Sequence, residues 1–182
     1  GGQVTRIDRY ANAGSAGGQD VMKGVAESLR QELEDVAIAP IRDPRAVAAM
    51  IDASMGQHVK LALGGHTDMP SIGLSGKPLA VEGRVHAITD GEFVITGPMY
   101  TGIRTFLGRT AVLDTGRVLV VVTERPHEPF DVGVFTHAGI DPRQKRDVMP
   151  KARIPSTPGI TPDPPTLDEC PGAGRTTAQP RL

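Results

Sequence analysis

The chain has 182 residues, 38% of them hydrophobic and 23% charged, and 20 Lys+Arg against 21 Asp+Glu leave a net charge of -1. That composition excludes collagen, coiled coil and full disorder, and it lacks the basic footprint that binding a phosphate backbone requires. Aromatic residues make up only 3% and Trp is absent, so the core must come from Val, Leu, Ile, Ala and Met, with few platforms for stacking bases or sugars.

The chain opens on Gly1-Gly2-Gln3-Val4, without a Met, a basic n-region or an apolar h-region. This reads as a piece of something longer rather than a signal peptide. Val4-Thr5-Arg6-Ile7 reads as a short strand, and Asn12 to Gly18 as a Gly-rich loop leading into a helix. In that helix Asp20 stands near the N-cap, and Met22, Val25, Leu29 and Leu33 recur at helical spacing. Val36 to Ile41 is the next strand. Asp43-Pro44 then supplies an N-cap and a first-turn proline for a second helix with Val47, Met50 and Ile51 as its apolar stripe, ended by Gly56.

From His58 to Leu63 the residues alternate, with Val59, Leu61 and Leu63 on one face, and the strand stops at Gly64-Gly65. Leu79 to Ile88 and Glu92 to Ile95 flank Asp90-Gly91, a hairpin signal. Thr110 to Leu113 and Arg117 to Thr123 flank Asp114-Thr115-Gly116, a second hairpin whose return strand is apolar enough to be buried on both faces. The run Val118 to Val122 is the longest aliphatic stretch, far short of the ~20 residues that span a bilayer. Phe130 to Ala138 reads as a short helical turn ending at Gly139.

From Pro150 the character changes: residues 150–182 hold 8 of the chain's 16 prolines and no aromatic residue. Such a loss of backbone donors argues against a helix or central strand there and for an extended or disordered tail. The pattern predicts an α/β fold with a mixed sheet, two β-hairpins, a Gly-rich strand–helix loop and a Pro-rich C-terminal tail. The domain covers residues 1–149 and the tail 150–182.

Residues with chemistry are sparse. The loop at Asn12 to Gly18 could cradle an anion at a helix N-terminus, but it matches neither the dinucleotide fingerprint nor a P-loop. His66-Thr67-Asp68 joins two side chains of metal-ligand type, whereas zinc needs three or four, and His58, His86, His127 and His137 form no ligand motif with them. Ser71 and Ser75 lack a nucleophile elbow. Cys170 has no His nearby; as a lone Cys it cannot form an internal disulfide, which suits a reducing compartment such as the cytoplasm. Arg104, Arg109, Arg125 and Arg153 could meet a carboxylate but are scattered.

Several motifs, taken in order, resemble one family. They are Ile41-Arg42-Asp43-Pro44-Arg45-Ala46-Val47, Leu61 to Asp68, Gly76 to Val85, Asp90-Gly91-Glu92-Phe93, Gly97-Pro98-Met99, Leu107 to Leu113, Phe130-Asp131, Phe135 and Gly139-Ile140-Asp141-Pro142. Together they resemble the C-terminal domain of the MlrC proteins, the microcystin-degradation proteins and their metallopeptidase-like relatives, over roughly Val4 to Arg153. The resemblance implies a hydrolase acting on a small peptide-like substrate, with zinc held in an N-terminal domain absent from this chain. This chain would then complete the cleft and not be catalytic alone. The implied cleft residues are Asn12, Gly14, Asp20, Gly65, His66, Asp68, Lys151 and Arg153; no catalytic or metal-binding residue is expected in this chain.

Three positions depart from the family pattern. Its Asp-Asn-Pro-Gly-Gly-Gly loop is Ala11-Asn12-Ala13-Gly14-Ser15-Ala16 here, and the Lys of its Gly-Gly-Lys-Thr-Asp is His66. After Lys151-Ala152-Arg153 the expected His-Tyr-Arg is Pro155-Ser156-Thr157, which removes an imidazole and a guanidinium. Glu169-Cys170-Pro171-Gly172 again resembles the family's strand-to-turn signature. The alternatives are a stand-alone small-anion-binding module and a non-functional fragment. The face expected to meet the absent domain lies at Gly64-Gly65 and Gly14 to Gly18. No nucleic acid or membrane partner is expected.

Overall fold

The aliphatic run at Val118 to Val122 needs apolar cover on both sides, and the fold is built around that need. In the computed structural model, which describes residues 3–8, 19–66, 76–152 and 167–170, this run forms β8 (Val118–Thr123) inside an eight-stranded mixed sheet. The preceding elements are β1 (Gln3–Asp8), α1 (Gln19–Arg30), β2 (Val36–Arg42), α2 (Pro44–Ala53), β3 (His58–Leu63), β4 (Leu79–Thr89), β5 (Glu92–Val94), β6 (Arg104–Phe106) and β7 (Thr110–Asp114). After β8 come α3 (Gly133–Thr136), β9 (Asp147–Ala152) and β10 (Leu167–Cys170). The sheet order is β10-β1-β9-β2-β8-β7-β4-β3, and β5 and β6 form a separate two-stranded ribbon.

Right-handed crossovers decide which face each helix covers. The connection from β1 through α1 to β2 and the one from β8 through α3 to β9 travel in opposite directions along the sheet, so they must lie on opposite faces. The core divides accordingly. Met22 and Val25 of α1 and Ala46, Val47 and Met50 of α2 pack with Ile38, Val120 and Val122 on one face. Val134 and Phe135 of α3 pack with Ala37, Val112 and Val121 on the other. Alternate residues of β8 thus serve two cores, as its unbroken apolar run predicts.

Register and contact together show that the sheet curls. Arg42, Thr123, Thr110 and Thr89 lie at one level across β2, β8, β7 and β4, while Leu63 pairs with Leu79 at the opposite end of β4. Along a flat strand of 11 residues those levels would be roughly 30 Å apart. Yet the Gly64 N–H donates to Asp43, next to Arg42, at 2.7 Å. β4 carries a register irregularity between Val85 and Ala87, and bulges of this kind bend strands. The bend brings β3 back over α2, where Leu63 and Val81 join the first core.

Two expectations need correction. Asp90-Gly91 does not join two paired strands: β4 pairs with β3 and β7, whereas β5 pairs with β6, Glu92 opposite Phe106 and Val94 opposite Arg104. The hairpin at Asp114-Thr115-Gly116 forms as expected between β7 and β8. Pro150, where the tail was expected to begin outside the sheet, lies in β9, between β1 and β2. The strand accommodates it because the β1 ladder has rungs at Val4–Val148 and Ile7–Lys151 and none between, while Ala39 pairs with Pro150 on the β2 side. Leu167–Cys170 likewise adds a parallel strand beside β1; residues 153–166 and 171–182 lie outside the described residues.

Gly64 and Gly65 end β3 with φ of 59° and 62°, values that L side chains rarely adopt. A Cβ on Gly65 would also stand 2.7 Å from the Lys77 carbonyl oxygen. Gly116 shares the positive φ, 89°, but a Cβ there meets nothing within 4 Å. Gly116→Ala therefore isolates backbone strain, about 1 kcal/mol. Gly65→Ala should cost about 1–3 kcal/mol more, read as the difference between the two urea midpoints. Equal losses would show that the Gly65–Lys77 approach imposes no constraint.

Candidate functional site

Ligands of open α/β sheets gather outside the carboxyl ends of parallel strands, where the chain's connections diverge. Here the divergence lies between β9 and β2: the chain leaves β2 toward β3 at one margin and leaves β9 toward β10 at the other. Lys151, near the end of β9, and Arg42-Asp43, at the end of β2, flank that point. Asp8, at the end of β1, pairs with Ala152, so β1 ends at the same edge.

Asp43 is the best-defined group there. It is 2% exposed and begins α2 as the N-cap expected from Asp43-Pro44. Oδ1 accepts the backbone N–H groups of Arg45 and Ala46, each at 3.1 Å. Its second oxygen reaches across the fold to the Gly64 N–H at 2.7 Å and to His66 Nε2 at 3.1 Å. The Asp43 N–H donates in turn to the Thr123 carbonyl at 2.9 Å, tying the cap to β8. His66 Nε2 also lies 3.0 Å from the Ala62 carbonyl. The His66 side chain stays 29% exposed.

A second buried carboxylate anchors the ribbon. Asp131, 1% exposed, accepts from the Thr96 and Gly133 backbone N–H groups at 3.0 and 2.6 Å, and also from that of Gly97. Beside it Phe93 stacks on His137 at 5.5 Å and meets His127 edge-on at 5.9 Å. The His137 Nδ1–H donates to the Gly133 carbonyl at 2.7 Å. The Nε2 atoms of His127 and His137 are buried with no hydrogen-bond partner among the described residues. Burial holds both imidazoles below their ordinary pKa, because a cation there would lose its hydration.

Of the cleft residues expected from sequence, Gly65 and His66 sit at the Asp43 cluster. Asp20 lies in the first turn of α1 and Lys151 in β9, with only their backbone positions described. Asn12, Gly14, Asp68 and Arg153 fall outside the described residues. Sequence reasoning found Asp43 as a helix cap but missed it as a hub, since the partners of its second oxygen lie 21 and 23 residues away. Asp131 was missed for the same reason. Among the described residues no three His, Cys, Asp or Glu side chains converge to hold a metal. The large apolar residues exposed among the described residues are Met55, Val94, Tyr100, Ile103 and Phe106. Four of these belong to the ribbon and its connecting loop, and none to Gly64-Gly65.

A mixed sheet with helices on both faces and a polar cluster at its carboxyl edge defines an α/β domain. The family profile of the MlrC C-terminus matches residues 7–177, and the chain belongs to that family. Microcystinase C of Sphingomonas sp is 28% identical over 149 residues, which are 82% of this chain and 28% of that protein. A solved structure of a Mesorhizobium sp. BNC1 protein, provisionally named a metallopeptidase, superposes with a TM-score of 0.71 at 23% identity, covering 83% of this chain and 30% of that one; this likeness is one of fold. The chain spans less than a third of the length of either relative. No helix among the described residues is long and apolar enough to cross a membrane.

Removing the Asp43 carboxylate orphans three backbone N–H groups. Asp43→Ala should therefore cost more than the ~1 kcal/mol of an ordinary cap, about 2–4 kcal/mol by chemical denaturation; a loss below 1 kcal/mol would deny it the hub role. The two half-buried imidazoles predict acid sensitivity. Their folded-state pKa lies below the unfolded value of about 6.5, so the unfolded chain binds more protons as pH falls. Their stabilising contribution is full above pH 6.5 and is lost as pH drops from there toward the folded pKa values. The urea midpoint should fall between pH 7.5 and 5.5, and His127→Phe with His137→Phe should flatten that slope; an unchanged slope in the double variant would refute the assignment.

Proposed function

We propose that this chain is the cleft-completing domain of an MlrC-like metallopeptidase. It would dock against a larger N-terminal domain and present its carboxyl edge to a small peptide-like substrate. The observation that carries this reading is the ribbon. It leaves the sheet at Thr89, on the carboxyl edge, and exposes Val94, Tyr100, Ile103 and Phe106 at 45–55%, whereas its inner residue Phe93 packs on the second core. A ribbon whose outer surface sets exposed Val94, Tyr100, Ile103 and Phe106 beside the Arg104–Glu92 ion pair fits an interface between domains, which commonly buries about 600–1,500 Å². The short length of the chain relative to its relatives supplies the counterpart. Zinc, by family resemblance, belongs to that larger domain, and catalysis by this chain alone is not proposed.

On this reading the isolated 182 residues should self-associate or bind a hydrophobic dye, and show no peptide hydrolysis with added zinc. Tyr100→Ser combined with Ile103→Ser should restore a dye-negative monomer. Co-expression with an MlrC-type N-terminal region should raise solubility. A monodisperse, dye-negative wild-type monomer with zinc-dependent peptidase activity would overturn both the docking role and the placement of chemistry outside this chain.

A further inference from the structure

The hydrogen bonds around His66 define which of its nitrogens is the donor. Nε2 lies 3.0 Å from the Ala62 carbonyl oxygen and 3.1 Å from Asp43 Oδ2. A carbonyl oxygen has no proton to give. Nε2 must therefore be the donor, its hydrogen shared between the carbonyl and the carboxylate. In the neutral ring the lone pair then resides on Nδ1, which has no hydrogen-bond partner among the described residues. Asp43 is well suited to hold this arrangement, because the Arg45, Ala46 and Gly64 N–H groups fix both its oxygens. The ring belongs to the segment that ends β3 at Gly64-Gly65, adjacent to the carboxyl edge.

We infer that His66, held by Asp43 as a positioning residue, presents Nδ1 as a hydrogen-bond acceptor to whatever occupies the carboxyl edge. The recognised group is then a donor, such as a protonated amine, an amide N–H, a hydroxyl or a water. This reverses the polarity expected from the lysine of the resembling family, which can only donate and favours carboxylates and other anions. The inference rests on the cleft reading above for the identity of the edge, but the state of the ring can be measured without any partner.

The test uses the 182-residue chain labelled with ¹⁵N-histidine, and long-range ¹H–¹⁵N correlation at pH 8.5, with His66 assigned by its loss in His66→Gln. The expected result is a ring proton on Nε2 and none on Nδ1. Reaction with diethyl pyrocarbonate, which needs an accessible unprotonated ring nitrogen, should acylate His66 at Nδ1. The exposed His58 and His86 serve as reference reactivities, and the half-buried His127 and His137 as slow controls. Asp43→Asn should mix the tautomers and reduce the Nδ1 product at least several-fold; should that variant not fold, the wild-type spectrum alone decides. A ring proton on Nδ1, or a His66 that resists acylation at the rate of His127, would overturn the inference. The cleft reading is judged separately by the co-expression experiment, so failure of one is distinguishable from failure of the other.

Discussion

A single buried carboxylate holds together parts of the chain that would otherwise be far apart. Asp43 starts α2 with one oxygen and receives Gly64 and His66 with the other. That contact closes the curl of β4 together with Leu63 and Val81, which pack into the core beside α2. Burying a carboxylate is costly unless its lone pairs are filled. Asp43 meets that condition with three backbone N–H groups and an imidazole. Because two of those partners belong to one strand end and two to one helix start, the same four bonds set the geometry of the candidate site.

The two faces of the sheet do different work. The first is a continuous aliphatic core under α1 and α2, formed by Val, Ile, Leu, Ala and Met. On the second, aromatic rings gather around the base of the ribbon: Phe93 with His127 and His137, and Tyr100 with Phe130 at 5.4 Å. Asp131 locks this cluster by accepting from Thr96, Gly97 and Gly133. The ribbon is therefore pinned from beneath while its upper surface exposes Val94, Tyr100, Ile103 and Phe106 beside the Arg104–Glu92 ion pair. That combination suits a rigid docking element more than a loop that orders on contact, since little conformational entropy remains to be lost on docking.

Charge on the surface contributes little to this architecture. Arg30 with Glu27, Lys60 with Glu82 and Arg104 with Glu92 are solvent-exposed pairs, and such pairs are worth little individually. Glu124 is the exception in position. It joins Arg109 through side chain and backbone across the β7–β8 hairpin, and the Arg109 guanidinium holds its carboxyl below the usual range. The pair sits at the carboxyl edge beside the root of the ribbon, where it ties the end of β8 to the start of β7.

What the sequence determined by itself was local and periodic. Asp43-Pro44 specified the start of α2, the alternation from His58 to Leu63 specified β3, and Asp114-Thr115-Gly116 specified a hairpin, because caps, pleats and tight turns depend on neighbouring residues. The ordered motifs also identified the family, which the matched span of residues 7–177 bears out. Asp90-Gly91 carried an equally strong local signal, yet the strands it separates pair with other partners, since β4 gains more by joining β7 and β3 in a buried sheet than by folding onto a three-residue strand. Pro150 misled for a related reason: proline vetoes a strand only where its missing N–H was needed, and whether a rung falls there depends on neighbours far along the chain. The partners of the second oxygen of Asp43, the donor nitrogen of His66 and the exposed apolar residues of the ribbon were likewise decided only by the tertiary structure, because each is defined by contacts, or by their absence, among residues that the sequence keeps apart.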